Sequence, residues 1–178
     1  MFLGTLLKFA ESSVKNANST SKRILDLCCG TGSVLAVFAE AGWRGVGMDF
    51  CTELVTTAHQ SQLDSNVNSR FEFVDSIEEL HDEMEFELIV AFDDLAFELS
   101  DTSSLDAVLN LAFQGLSIGG HFLFQIDRSG DYDLSRLLEG VRRSGFHAAW
   151  AASPALLDDP WIREHQRSRE LVVARRDC

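Results

Sequence analysis

No Lys or Arg occurs between Phe71 and Asp127, although fourteen Asp and Glu residues fall in that stretch. The whole chain carries a formal net charge of −13. Nucleic acids are bound by cationic groups that displace counterions, so a surface of this sign excludes them as partners. The acidic stretch reads either as a solvated face or as an attraction for a cationic substrate. Lysine is scarce as well: Lys8, Lys15 and Lys22 are the only three, all before the first expected strand and spaced along one helix face.

Also lacking is any run of about 18 apolar residues, which excludes a membrane-spanning helix by sequence. The apolar patch Phe2-Leu3-Gly4-Thr5-Leu6-Leu7 has no basic segment before it and no small-residue cleavage site after it. A secretory signal is therefore not expected, and a cytoplasmic protein without a membrane partner is. The four cysteines, Cys28, Cys29, Cys51 and Cys178, do not form the paired spacings of a zinc site. They read as reduced thiols, with no metal expected. Repeats and low-complexity segments are absent. What remains, 178 residues with 46% hydrophobic content, suits one domain over residues 1–178.

Along the chain, apolar residues at helical spacing predict a first helix over Phe2–Val14, followed by a polar loop at 16–21. Strands are predicted at 23–27, 45–49, 70–74, 87–92 and 121–126, the last entered through a turn at Gly119-Gly120. Helices are predicted between them at 33–41, 53–62, 77–81 and 105–116. A helix over 133–144 and strands at 146–151 and 170–175 complete the series. This alternation with short links predicts an α/β fold with helices on both faces of a mostly parallel sheet. Ligands of such sheets bind beyond the C-terminal strand ends, where strand order reverses. The residues to inspect are therefore 28–33, 49–51, 75–76, 92–95 and 127–132.

The turn Asp26-Leu27-Cys28-Cys29-Gly30-Thr31-Gly32 carries the strongest signal. Gly30 and Gly32 leave room for a ligand, and the next helix points N–H groups at it. A dinucleotide fingerprint requires a third glycine at position 35, which is Leu35. Asp26 sits inside the strand end, where a carboxylate needs a cation or hydrogen-bond donors. It suits a ligand ammonium, or else it ties down its own loop. Asp49, nineteen residues after Gly30, is placed to accept two ribose hydroxyls or to cap the helix that follows. Asp75 and Ser76 are placed to meet an adenine edge or to cap a short helix. Cys28 and Cys29 read as small packing residues or as reactive thiols.

Together I-L-D-L-C-C-G-T-G at 24–32, G-V-G-M-D-F at 45–50, F-E-F-V-D-S at 71–76 and G-G-H-F-L-F at 119–124 resemble the class I S-adenosylmethionine-dependent methyltransferases. The resemblance implies a three-layer Rossmann-like fold with a seven-stranded sheet, the last strand antiparallel, and here a minimal N-terminal helix. It also implies that Asp26, Cys28, Gly30, Thr31 and Gly32 hold the methionine part of S-adenosylmethionine. Asp49 would take the ribose, Asp75 and Ser76 the adenine, and Phe50 would pack on the adenine ring. Cys28 stands where the family pattern has its first glycine. Phe92 would border the transferring methyl, and Asp93, Asp94 and Asp127 are the candidate catalytic acids, able to orient an amine or accept a proton. The D/N-P-P-Y/F sequence of the amino-directed nucleic-acid methyltransferases is missing at 92–95. The expected activity is methyl transfer to an O, N or C of a small metabolite or natural product, leaving S-adenosylhomocysteine. Its alternatives are a protein or peptide acceptor and a non-catalytic S-adenosylmethionine-binding subunit. The short region before the first strand further predicts an open crevice covered by a homodimer partner, another chain or a large substrate.

Overall fold

The computed structural model describes residues 2–16, 20–64, 71–76, 80, 85–92, 102–127, 133–152 and 169–177. The strands are β1 (Arg23–Leu27), β2 (Arg44–Met48), β3 (Phe71–Val74), β4 (Phe86–Ala91), β5 (Leu116–Asp127), β6 (Ala148–Ala152) and β7 (Arg169–Arg175). The helices among the described residues are α1 (Phe2–Asn16), α2 (Ser33–Glu40), α3 (Thr52–Asp64), α4 (Thr102–Gly115) and α5 (Leu134–Arg143). The expected helix at 77–81 lies, apart from Leu80, outside the described residues.

The strands form one seven-stranded sheet in the order β3-β2-β1-β4-β5-β7-β6. The central strands are covered on both faces, which is why Phe86–Ala91 reads as a continuous buried run rather than an alternating one. Pleat parity divides their side chains between two cores. Leu25, Leu27, Ile89 and Ala91 meet Leu105 and Leu109 of α4 and Leu137 and Val141 of α5. Ile24, Leu88, Val90 and Phe92 meet Leu6, Ala10 and Val14 of α1, Leu35 and Phe38 of α2, and Val55 of α3. Three layers result, as the sequence predicts. Among the described residues, no helix is long and apolar enough to cross a membrane.

β7 is the antiparallel strand, and it lies between β5 and β6 rather than at the sheet edge. Gly119-Gly120 does not turn the chain into β5 but lies within it. The strand begins at Leu116, which pairs with Phe86, and the register then shifts before Leu88 pairs with His121. Ser117 Oγ donates to the Phe86 carbonyl (3.1 Å) and the Gly119 N–H to the Arg176 carbonyl (2.6 Å). A Cβ on Gly120 would come within 2.8 Å of the Ser117 carbonyl oxygen, so the irregular segment needs its glycine. The pair marks a bulge, not a break.

α1 is fastened to the sheet layer by one carboxylate. Glu11 accepts from Lys22 Nζ (2.8 Å) and from Nε1 of the fully buried Trp43 (2.9 Å). The Lys22 hydrogen bond is the largest of the influences that hold the Glu11 carboxyl below its ordinary value. Trp43 in turn packs edge-to-face on Phe38 (5.1 Å).

Candidate functional site

Strand order runs outward from β1 to β3 on one side and from β4 onward on the other, so the switch point lies between β1 and β4. The chain leaving β1 there forms a tight turn. Cys28, Gly30 and Gly32 all adopt positive φ (66°, 55° and 81°). A Cβ on Gly32 would meet the Phe73 ring at 3.1 Å, whereas one on Gly30 would meet nothing within 4 Å. Gly32 is thus a packing requirement, and Gly30 presents bare backbone to open space. Gly32 also caps α2 without a side-chain hydrogen bond, leaving the first N–H groups of that helix without a capping side chain.

Beneath the turn, packing is close. Gly47 of β2 faces Asp26 in register. A Cβ at Gly47 would lie 2.7 Å from Leu35, 2.8 Å from Phe73 and 2.9 Å from Cys29 Sγ. Leu35, where a dinucleotide site has its third glycine, therefore fills the floor of the turn. Cys29 is buried, and its thiol is pushed up to about 12, first by burial and then by the negative charges of Asp26 and Asp49. A thiol so held stays protonated at neutral pH and is a packing group rather than a nucleophile.

Asp49 ties two elements together. It follows β2, one residue beyond the strand, with one carboxylate oxygen accepting the Gly30 N–H (2.8 Å) and the other the Cys51 N–H (2.9 Å). The first bond spans nineteen residues and fixes the glycine turn. The second closes a local turn that leads the chain into α3. Each oxygen retains a lone pair for a further donor. Asp49 is half-buried, and its neighbour Phe50 is 58% exposed, the larger of two exposed apolar side chains here with Leu54 at 37%.

Asp75 and Ser76, both half-buried, follow β3. Asp75 accepts from Thr52 Oγ1 of α3 (3.2 Å), a contact not anticipated from the sequence. Thr52 is therefore an added member of the site, legible only as the hydroxyl residue that opens the helix after Asp49. Asp26 is 2% exposed at the C-terminal end of β1, and Thr31 is exposed at the crest of the turn. Phe92 is 7% exposed in the core with Leu88 and Val90, whose pleat parity it shares. Its side chain packs in the core that contains residues of α1 and α2. Asp127 is the last residue of β5, opposite Arg169. Asp93 and Asp94 lie outside the described residues.

The site therefore combines a left-handed glycine turn, a carboxylate engaged by its backbone, and an exposed aromatic ring one residue further on. Residues 24–120, more than half of the chain, match the family model described as a methyltransferase domain. No curated protein matches the sequence. Among solved structures, an S-adenosylmethionine-dependent methyltransferase from Clostridium acetobutylicum is 14% identical with a TM-score of 0.70, covering 96% of this chain and 90% of that one. The magnesium protoporphyrin IX methyltransferase of Synechocystis, solved with bound S-adenosylmethionine, is 15% identical with a TM-score of 0.70, covering 99% and 80%. A glycopeptide N-methyltransferase complexed with S-adenosylmethionine is 14% identical with a TM-score of 0.70, covering 95% and 87%. At these identities the likeness is one of fold.

Proposed function

Since the chain belongs to the methyltransferase-domain family, we propose that it binds S-adenosylmethionine on the Asp26–Gly32 turn and transfers its methyl group to an O, N or C of a small metabolite or natural product. The observation that carries this reading is the link from Asp49 to Gly30, with open space at Gly30 and the exposed Phe50 beside it. The donor set fits the cofactor. Asp26 offers a buried carboxylate for an ammonium, Gly30 offers open space over its bare backbone, and Asp49 offers its remaining lone pairs to the ribose hydroxyls. Phe50 offers a face for the adenine ring, and Asp75 with Ser76 its polar edge.

The bound sulfonium supplies an already activated methyl group. The protein's part is then to hold the acceptor in line and to exclude water, which accounts for much of the acceleration in such reactions. Cys29, protonated and buried, takes no part in it. Asp127 at the end of β5, with Asp93 and Asp94, is assigned to orienting or deprotonating the acceptor.

Calorimetric titration with S-adenosylmethionine tests the shared premise. The Asp49→Ala variant is expected to bind about 100-fold more weakly, since charge-assisted hydrogen bonds contribute about 1.5–3 kcal/mol each. A variant that loses some melting temperature but stays folded at the titration temperature separates this from unfolding. Absence of binding by the wild type, or undiminished binding by Asp49→Ala, removes the proposal. Formation of S-adenosylhomocysteine over a metabolite panel then separates an enzyme from a binding subunit. The acidic stretch 71–127 favours a cationic peptide as the second acceptor class, so a Lys-rich peptide belongs in the same panel.

A further inference from the structure

A cavity lies at the other end of the strands from the glycine turn. Through Leu88, His121 is level with Ile24 near the start of β1, so this cavity opens opposite the glycine turn. Its volume is about 510 Å³, within the size range of small-molecule sites. Phe9 and Ser13 of α1 form one wall, Ile118 and His121 of β5 the other, and Arg175 with Asp177 the rim.

Two observations mark it as more than a surface depression. Ile118, which lines it, is 68% exposed, the most exposed large apolar side chain among the described residues. His121 is 9% exposed, and its Nδ1 is sealed from solvent with no hydrogen-bond partner among the described residues. A sealed N–H without an acceptor costs more than a bare lone pair, so the proton of the neutral ring sits on Nε2. Nε2–H is then the polar atom that the ring has left to offer the cavity. Phe9 meets the imidazole edge-to-face at 5.1 Å and fixes its plane.

We propose that this cavity is a binding site for a neutral, flat heteroaromatic molecule whose ring lies between Phe9 and Ile118 and whose acceptor atom takes the His121 Nε2–H. The lining carries no net charge. Arg175 and Asp177 are opposite charges joined by two hydrogen bonds, and burial keeps the imidazole neutral by lowering its pKa to about 4. A neutral ligand therefore gains there, while an ion has no uncompensated partner. Because α1 and the sheet supply opposite walls, an occupant also joins the two.

The test is amide NMR of the full chain titrated with quinoline, which offers a ring acceptor and is neutral at pH 7.5. Saturable shifts are expected at Ser13, Ile118, Gly119 and His121. Indole, of like shape but with a donor in place of the acceptor, is expected to bind about tenfold more weakly, the factor of one lost neutral hydrogen bond. Ser12→Trp, an exposed α1 position on the cavity, is expected to abolish the shifts by filling the space. His121→Phe is expected to erase the difference between quinoline and indole. No saturable shift, shifts confined to residues 28–51, or tighter binding of benzoate than of quinoline overturns the proposal. S-adenosylmethionine titrated into Ser12→Trp reports on the glycine turn separately, so failure at one end is distinguishable from failure at the other.

Discussion

The two ends of the sheet differ in how their titratable side chains are held. At the C-terminal ends of β1 and β2, Asp49 receives two backbone N–H groups, and Gly32 and Gly47 are packed without slack. At the opposite end of β5, His121 is buried beside a cavity with one nitrogen unmatched among the described residues. Backbone N–H donors hold a carboxylate in a tight structure, whereas burial makes an imidazole give up its charge instead. The first end is rigid by construction. The second keeps space and is coupled to pH.

Gly47→Ala tests the tight end and carries the largest expected effect. Its Cβ would intrude on Leu35, Phe73 and Cys29 at once, costing about 2–3 kcal/mol. For a chain of this size that is a fall of about 5–10 °C in melting temperature, readable by circular dichroism. A variant as stable as wild type would show that the floor of the turn has slack after all.

Acid probes the other end. His121 has a folded pKa of about 4 against an ordinary 6.5, so the unfolded chain takes up its proton first as pH falls. The stability contributed by neutral His121 is fully present above pH 6.5, is lost between 6.5 and about 4, and falls no further below that. The loss amounts to about 3 kcal/mol. Urea melts of wild type and His121→Phe at pH 7.5 and 4.5 are expected to show this drop only in the wild type. An equal drop in both assigns it to other groups.

Phe50→Ala leaves the fold intact, because the ring is mostly exposed. It is expected to weaken S-adenosylmethionine binding about tenfold, the contribution of one base stacked on an aromatic ring. Unaltered affinity in calorimetry would place the adenine elsewhere. The smallest effect belongs to the rim of the cavity: Asp177→Asn frees Arg175, but an exposed pair of this kind contributes less than about 0.5 kcal/mol. A larger shift in the urea midpoint would mean that the pair braces the cavity.

The arrangement of layers was legible because β1, β4 and β5 carry buried runs long enough to exclude other readings, with helical spacing between them. The placement of β7 was not. Nothing in Glu170–Arg175 distinguishes an edge strand from one inserted between β5 and β6, since both are apolar and β-branched. Gly119-Gly120 misled for a related reason, as two glycines describe a bulge as well as a turn. At the site, glycine spacing and Asp49 were readable from sequence. The double use of Asp49 was not, because a bond to Gly30 depends on the β1–β2 register. Phe92 shows the opposite limit: its position at the end of β4 was clear, but parity with Leu88 and Val90 turns the ring inward.

The insertion of β7 also has a consequence during synthesis. β5 and β6 both leave the ribosome before the strand that pairs with each of them, so two unsatisfied edges coexist until residues 169–175 emerge. Open edges of apolar strands recruit other chains. The late segment therefore acts as the closing member of the sheet, and truncation within it would expose two adhesive borders at a single stroke.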